Sequence, residues 1–244
     1  MISQRLYIVT GSSKGLGLEI CKNLIRTNSI VLGISKSESK ICDANYHHLI
    51  HDFKNKININ DITKLELHSK MEICIILNAA HRYDEEYNSN NFFNMFLTSF
   101  NVNFYNQFDF VNNLNQVKKI EKLLLISSYS IFTLGNKVRD IGYFLGKDNY
   151  RKIASMLKMH YKINCKCIII GTMKTQLHEE PSTLSNFPFI GKYLEKKLSL
   201  TSNDVAINII ENLESKKNII LIPNIPIFLI KLIVWIIEII GVKK

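Results

Sequence analysis

Tyr143 and Lys147 stand four residues apart in the run Tyr143-Phe144-Leu145-Gly146-Lys147. On a helix that spacing puts the phenol and the ammonium on one face. A free phenol has a pKa near 10, so a cation held beside it favours the phenolate and brings proton transfer towards working pH. The pair is a candidate general acid/base. Tyr150, followed four residues on by Ala154, has no such lysine. A second run, Thr10-Gly11-Ser12-Ser13-Lys14-Gly15-Leu16-Gly17, lies between the apolar strand pattern Leu6-Tyr7-Ile8-Val9 and a helical pattern that opens near Leu16. Its glycines permit a tight turn and let the backbone approach a pyrophosphate closely. The free N–H groups and positive dipole of the following helix would meet the charge of that group.

Parallel strands alternating with helices are what would hold two such runs at one end of a sheet. Short β-rich apolar runs at 5–10, 29–34, 47–51, 72–77, 121–127, 164–170 and 218–222 read as strands. Helical periodicity fills 16–27, 91–117, 143–161 and 203–214, and Ser202, Asn203 and Asp204 are capping candidates for the last of these. This rhythm predicts an α/β fold: a single doubly wound Rossmann-type domain over 1–224, with a mostly parallel sheet of about seven strands flanked by helices. Segment 176–200 interrupts it with Pro181, Pro188, Phe187, Phe189 and Tyr193, and reads as a substrate lid beyond the carboxyl ends of the strands.

The TGxxxGxG spacing, followed in order by the residues below, resembles the short-chain dehydrogenase/reductase family over residues 5 to about 222. The resemblance implies cofactor contacts from Gly11, Ser13, Lys14, Gly15, Leu16 and Gly17, from Asp52 to the adenine, and from Asn78-Ala79-Ala80, where Ala80 replaces the usual Gly. It implies a catalytic set of Asn103, Ser128, Tyr143 and Lys147. Ser128, chosen over Ser127 at the end of the fifth strand, would donate to a substrate carbonyl. Lys147 would also hold the nicotinamide ribose, and the Asn103 carbonyl would help hold a relay water. Ile170-Gly171-Thr172-Met173-Lys174-Thr175 resembles the family's PGxxxT segment, with Ile170 in place of Pro, so Gly171, Thr172 and Thr175 become nicotinamide contacts. Lys14 and Lys36 resemble the NADP-preferring members, since the phosphate on the adenosine ribose wants cationic partners.

The expectation is therefore an NADP(H)-dependent oxidoreductase, with NAD(H) as the lesser choice, reducing a small or lipophilic ketone or aldehyde to an alcohol. A 3-oxoacyl-carrier-protein reductase and an NADP-binding regulatory or scaffold protein are the alternatives. A homodimer or homotetramer is expected, with the phenylalanine-rich stretch 91–117 offering either a subunit face or core.

Of 244 residues, 46% are apolar and 21% charged, enough for a full core, and the net charge is +10. The lysines are scattered, which speaks against nucleic acid as a partner. Five cysteines at 21, 42, 74, 165 and 167 lack zinc-site spacing and read as free thiols, mostly buried. With no targeting pattern at 1–10, a reducing cytoplasm is expected. His47, His48 and His51 lack matching ligands, and His178-Glu179-Glu180 lacks a second histidine, so no metal site is expected. No Walker loop occurs. Residues 225–244 begin with an almost unbroken apolar run. Lys231 and Glu238, seven apart, share one helical face, so this segment reads as a helix at the pocket, at a subunit interface or peripherally on a membrane.

Overall fold

A computed structural model describes residues 5–65, 71–83, 90–132, 140–171, 173–174 and 200–225. The strands are β1 (Arg5–Thr10), β2 (Ile30–Ser35), β3 (Tyr46–Ile50), β4 (Glu72–Leu77), β5 (Ile120–Ser128), β6 (Asn164–Ile170), β7 (Met173–Lys174), β8 (Leu200–Thr201) and β9 (Ile219–Ile222). Seven of them form one sheet, entirely parallel, in the order β3-β2-β1-β4-β5-β6-β9. Each run predicted as a strand is one of these seven.

Both faces of the sheet are covered, which is why its central strands read as unbroken apolar runs. Leu6 and Ile8 of β1 enter one core and Tyr7 and Val9 the other, following the two-residue period of a strand. The first core packs against α4 (Asn106–Val117) and α5 (Ile141–Tyr161) through Phe110, Val111, Leu114, Tyr150, Ala154 and Leu157. The second packs against α1 (Gly15–Arg26) and α6 (Ser202–Glu211) through Leu16, Ile20, Leu24, Val205, Ala206 and Ile209.

The helical stretch expected over 91–117 runs from α3 (Phe92–Phe100) into α4, with one wide turn, a π-helix over Asn101–Tyr105, between them. A short α2 (Ile59–Thr63), which periodicity over five residues cannot reveal, precedes β4. The cap of α6 is Thr201, one residue before the expected candidates. Its hydroxyl accepts from Asp204 N–H, while the Asp204 carboxylate reaches back to Thr201. Cys21, Cys74, Cys165 and Cys167 are buried free thiols, and Cys42 is exposed and free.

The β7 and β8 strands pair with each other and bring together the two ends of the segment expected as a lid. Residues 175–199, Thr172 and the segment 226–244 lie outside the described residues.

Candidate active site

In this strand order the connections reverse direction between β1 and β4, and the crevice there, beyond the carboxyl ends of the strands, is where open α/β sheets bind ligands. The glycine loop sits at that point. Gly11 and Gly15 take φ +68° and +57°, a left-handed backbone that favours glycine. A Cβ on Gly17 would stand 2.0 Å from the Gly11 carbonyl oxygen, so only glycine lets α1 start so close to the turn. Around Gly15, by contrast, such an atom would meet nothing within 4 Å.

The amino end of α1 carries no side-chain cap and no acid in its first turn. Open space at Gly15, a free helix terminus and exposed Lys14 make a cradle that fits a dinucleotide diphosphate. Ser13 is partly buried in the same turn and Leu16 is buried under it.

Thr10 ties this loop to β4. Its hydroxyl accepts from the N–H groups of Asn78 (2.9 Å) and Ala79 (3.0 Å) and donates to Gln107 Oε1 (2.6 Å). Asn78 Nδ2 donates to the carbonyls of Thr10 and Gly11. Ala80, where the resemblance expects glycine, is exposed and has no positive φ, so its methyl group costs no backbone strain. Lys36 is the first residue beyond β2 and is exposed. The Asp52 carboxylate accepts from Lys54 N–H at 2.9 Å, which shapes the turn after β3.

At the other end of the crevice, Asp140 caps α5. Its Oδ1 accepts from Tyr143 N–H, and its Oδ2 accepts from Ser99 Oγ and Tyr83 N–H, each at 2.9 Å. Sequence reasoning started this helix at Tyr143 and missed the cap, although an aspartate three residues earlier is an ordinary capping signal. Tyr143 is partly buried, and its phenol has the Ser128 side chain as a neighbour. The Ser127 hydroxyl is already committed to the Lys147 carbonyl at 2.8 Å, which leaves Ser128 as the serine turned to the crevice.

Lys147 is 2% exposed, and its Nζ donates to the Ile126 carbonyl at 3.0 Å and lies 5.9 Å from the centre of the Tyr143 ring. Burial pulls its pKa down to about 7. Burial likewise raises the Tyr143 phenol, against the lowering effects of Ser128 and Arg82. The acidified phenol expected from the spacing is thus outweighed by desolvation in the protein alone.

Asn103 lies in the π-helical turn, fully buried, with its carboxamide committed to the chain after β4. Oδ1 accepts from His81 N–H, and Nδ2 donates to the His81 and Ser99 carbonyls. A Cβ on Gly146 would stand 2.9 Å from Asn103 Cβ, so glycine within the Tyr143–Lys147 run is what lets this turn approach α5. π-turns of this kind often mark functional sites. A Cβ on Gly171 would stand 3.2 Å from Pro223 and from the Tyr129 ring, at the floor beyond β6, where Ile170 continues the strand without a proline. Tyr150 is fully buried, and its hydroxyl has no partner among the described residues, which makes it a core residue and not a second acid. Among the described residues no cluster of ligands for a metal occurs.

No family model and no curated protein matches the sequence. Solved structures do match the fold. A short chain dehydrogenase family protein from Francisella tularensis subsp. tularensis superposes with a TM-score of 0.69 at 18% identity, covering 90% of this chain and 97% of that one. The short chain dehydrogenase from Leptospira borgpetersenii with bound NAD+ gives 0.70 at 16%, covering 90% and 91%. ElxO with NADP bound gives 0.68 at 14%, covering 89% and 96%. The chain has the short-chain dehydrogenase fold.

Proposed function

We propose that the protein is an NADP(H)-dependent oxidoreductase that reduces a ketone or aldehyde to an alcohol. The observation that carries this reading is the convergence of Ser128, Tyr143 and Lys147 beside a glycine loop open to a diphosphate, at the one crevice where this sheet order binds ligands. Folds of this type accept many chemistries, so the argument rests on the site and not on the superpositions.

Bound NADPH would supply hydride to the carbonyl carbon. Ser128 Oγ donates to the carbonyl oxygen and stabilises the charge that grows there. Tyr143 Oη gives that oxygen its proton. Lys147, whose burial brings its pKa close to neutral pH, gains charge where a phenolate and ribose hydroxyls gather, and so lowers the phenol when it is needed. Asn103 holds the chain after β4 through its carboxamide, leaving its main-chain carbonyl for the proton relay.

Lys14 and Lys36, both exposed at the adenosine side of the loop, support NADP over NAD. The reading also takes the molecule to be a cytoplasmic homo-oligomer, with 226–244 meeting a lipid surface.

Fluorescence titration with NADPH and NADH tests the assignment without a known substrate. NADPH is expected to bind more tightly, and Lys14→Ala/Lys36→Ala to weaken NADPH at least about tenfold while sparing NADH, since each lost charge-assisted bond is worth about 1.5–3 kcal/mol. Binding of neither nucleotide would overturn the oxidoreductase reading in favour of a scaffold.

A further inference from the structure

His81-Arg82-Tyr83 follow β4 directly, and the main chain on both sides of Arg82 is held by side chains of the site. Asn103 takes the N–H of His81 at 3.1 Å and donates to its carbonyl at 2.6 Å, while Asp140 takes the N–H of Tyr83 at 2.9 Å. Arg82 is thereby fixed between the π-turn and the amino end of α5. Its guanidinium lies 5.9 Å from the centre of the Tyr143 ring, as far as Lys147 Nζ does.

Two cations thus face one phenol, and only one of them is exposed. Lys147 is buried and bonded to Ile126. Arg82 is exposed and makes no ion pair among the described residues. At an exposed site a cation over a ring gains little, so that contact does not by itself account for a guanidinium aimed at the reacting phenol.

We infer that Arg82 reads an anionic group, a carboxylate or a phosphate, carried by the substrate close to the carbonyl that Tyr143 protonates. The inference rests on the oxidoreductase reading for the position of that carbonyl. A substrate oxygen shared by Ser128 and Tyr143 places its neighbouring substituents beside the phenol, where the planar guanidinium can take both oxygens of an anion at once. A neutral substrate leaves that fork unused.

The test is calorimetric titration of the full-length protein, with and without NADP+, using matched probes. Short, medium and long 3-oxo acids are compared with their methyl esters, and dihydroxyacetone phosphate with dihydroxyacetone. At least one anion is expected to bind about tenfold or more tightly than its neutral match. Arg82→Ala should abolish that preference and Arg82→Lys should keep part of it, with the affinity for NADPH unchanged in both. Which series shows the preference separates a carboxylate from a phosphate.

Equal binding of anions and neutral matches, no anion bound in any series, or a preference that survives in Arg82→Ala would each overturn the inference. An Arg82 engaged by Asp84, Glu85 or Glu86 would give the first of these results. Failure of NADPH to bind is a separate result that removes the oxidoreductase reading, and the acid and ester comparison is then read on the unloaded protein.

Discussion

Lys147 brings an ammonium into the interior with one carbonyl as its hydrogen-bond partner and, among the described residues, no carboxylate beside it. Its folded pKa, about 7, lies far below the ordinary lysine value, so its linkage to stability has a definite sign. Between the two values the unfolded chain binds a proton that the folded protein does not, and stability rises with pH across that window. Below it both states are protonated and the full cost of the buried charge is present. Lys147→Met is therefore expected to be more stable than the wild type below pH 7, by on the order of a few kcal/mol. The gap should narrow as pH rises above 7 and close near the ordinary lysine pKa, while turnover is lost throughout. Urea midpoints of the two proteins across that range check it, and a gap independent of pH would show that burial does not govern this lysine.

Helices α3 and α5 meet through glycine. A Cβ on Gly142 would stand 2.5 Å from the Phe96 carbonyl oxygen and 2.8 Å from Ser99 Cβ. In an isolated helix Gly→Ala stabilises by about 1 kcal/mol. At this contact the expected sign is reversed: Gly142→Ala should destabilise by about 1–3 kcal/mol, as overpacking does, and lower turnover by displacing the Asp140 cap from Tyr143. Ser155→Ala, exposed on the same helix, should at most gain a few tenths of a kcal/mol, and urea denaturation of both variants reads the difference. A Gly142→Ala protein more stable than the wild type would disprove the close contact.

This contact also marks where reading the sequence ran out. The seven strands of the main sheet were legible because both faces are buried and the apolar runs are unbroken, and Tyr143 and Lys147 because a helical spacing of four is visible in one line of sequence. Which of Ser127 and Ser128 is free for a ligand cannot be read from their adjacency, since the Ser127 hydroxyl bonds the Lys147 carbonyl across the α5–β5 contact. Asp140 and Gln107 act through partners 28 to 97 residues away and Arg82 over a neighbouring ring, and no local period records such pairings. The wide turn at Asn101–Tyr105 is invisible for a related reason, since its residues keep helical periodicity on either side.

Over the whole molecule, the apolar stretch 226–242 follows a sheet that, among the described residues, α4 and α5 cover on one side and α1 and α6 on the other. The chain reaches that stretch from β9 through Pro223, whose carbonyl accepts from the Tyr129 hydroxyl beside Gly171, at the carboxyl end of the sheet. A helix over 225–242 would measure about 27 Å, short of the roughly 30 Å bilayer core, and would carry Lys231 and Glu238 on one stripe. Those dimensions suit a helix lying in the headgroup layer, and Lys231, Lys243 and Lys244 together with a net charge of +10 favour anionic lipid. Trp235 is the only tryptophan of the chain and lies in the middle of this stretch, so the intact protein carries its own reporter. Its emission is expected to shift to the blue on mixing with vesicles containing phosphatidylserine, to respond less to pure phosphatidylcholine, and to be quenched by brominated acyl chains. High salt should reverse most of the binding, because the attraction decays within a Debye length of about 10 Å at 0.1 M ionic strength. An emission already blue in buffer and unchanged by either vesicle would place Trp235 in a protein interior, either the pocket or a subunit interface, and would remove the membrane from the account.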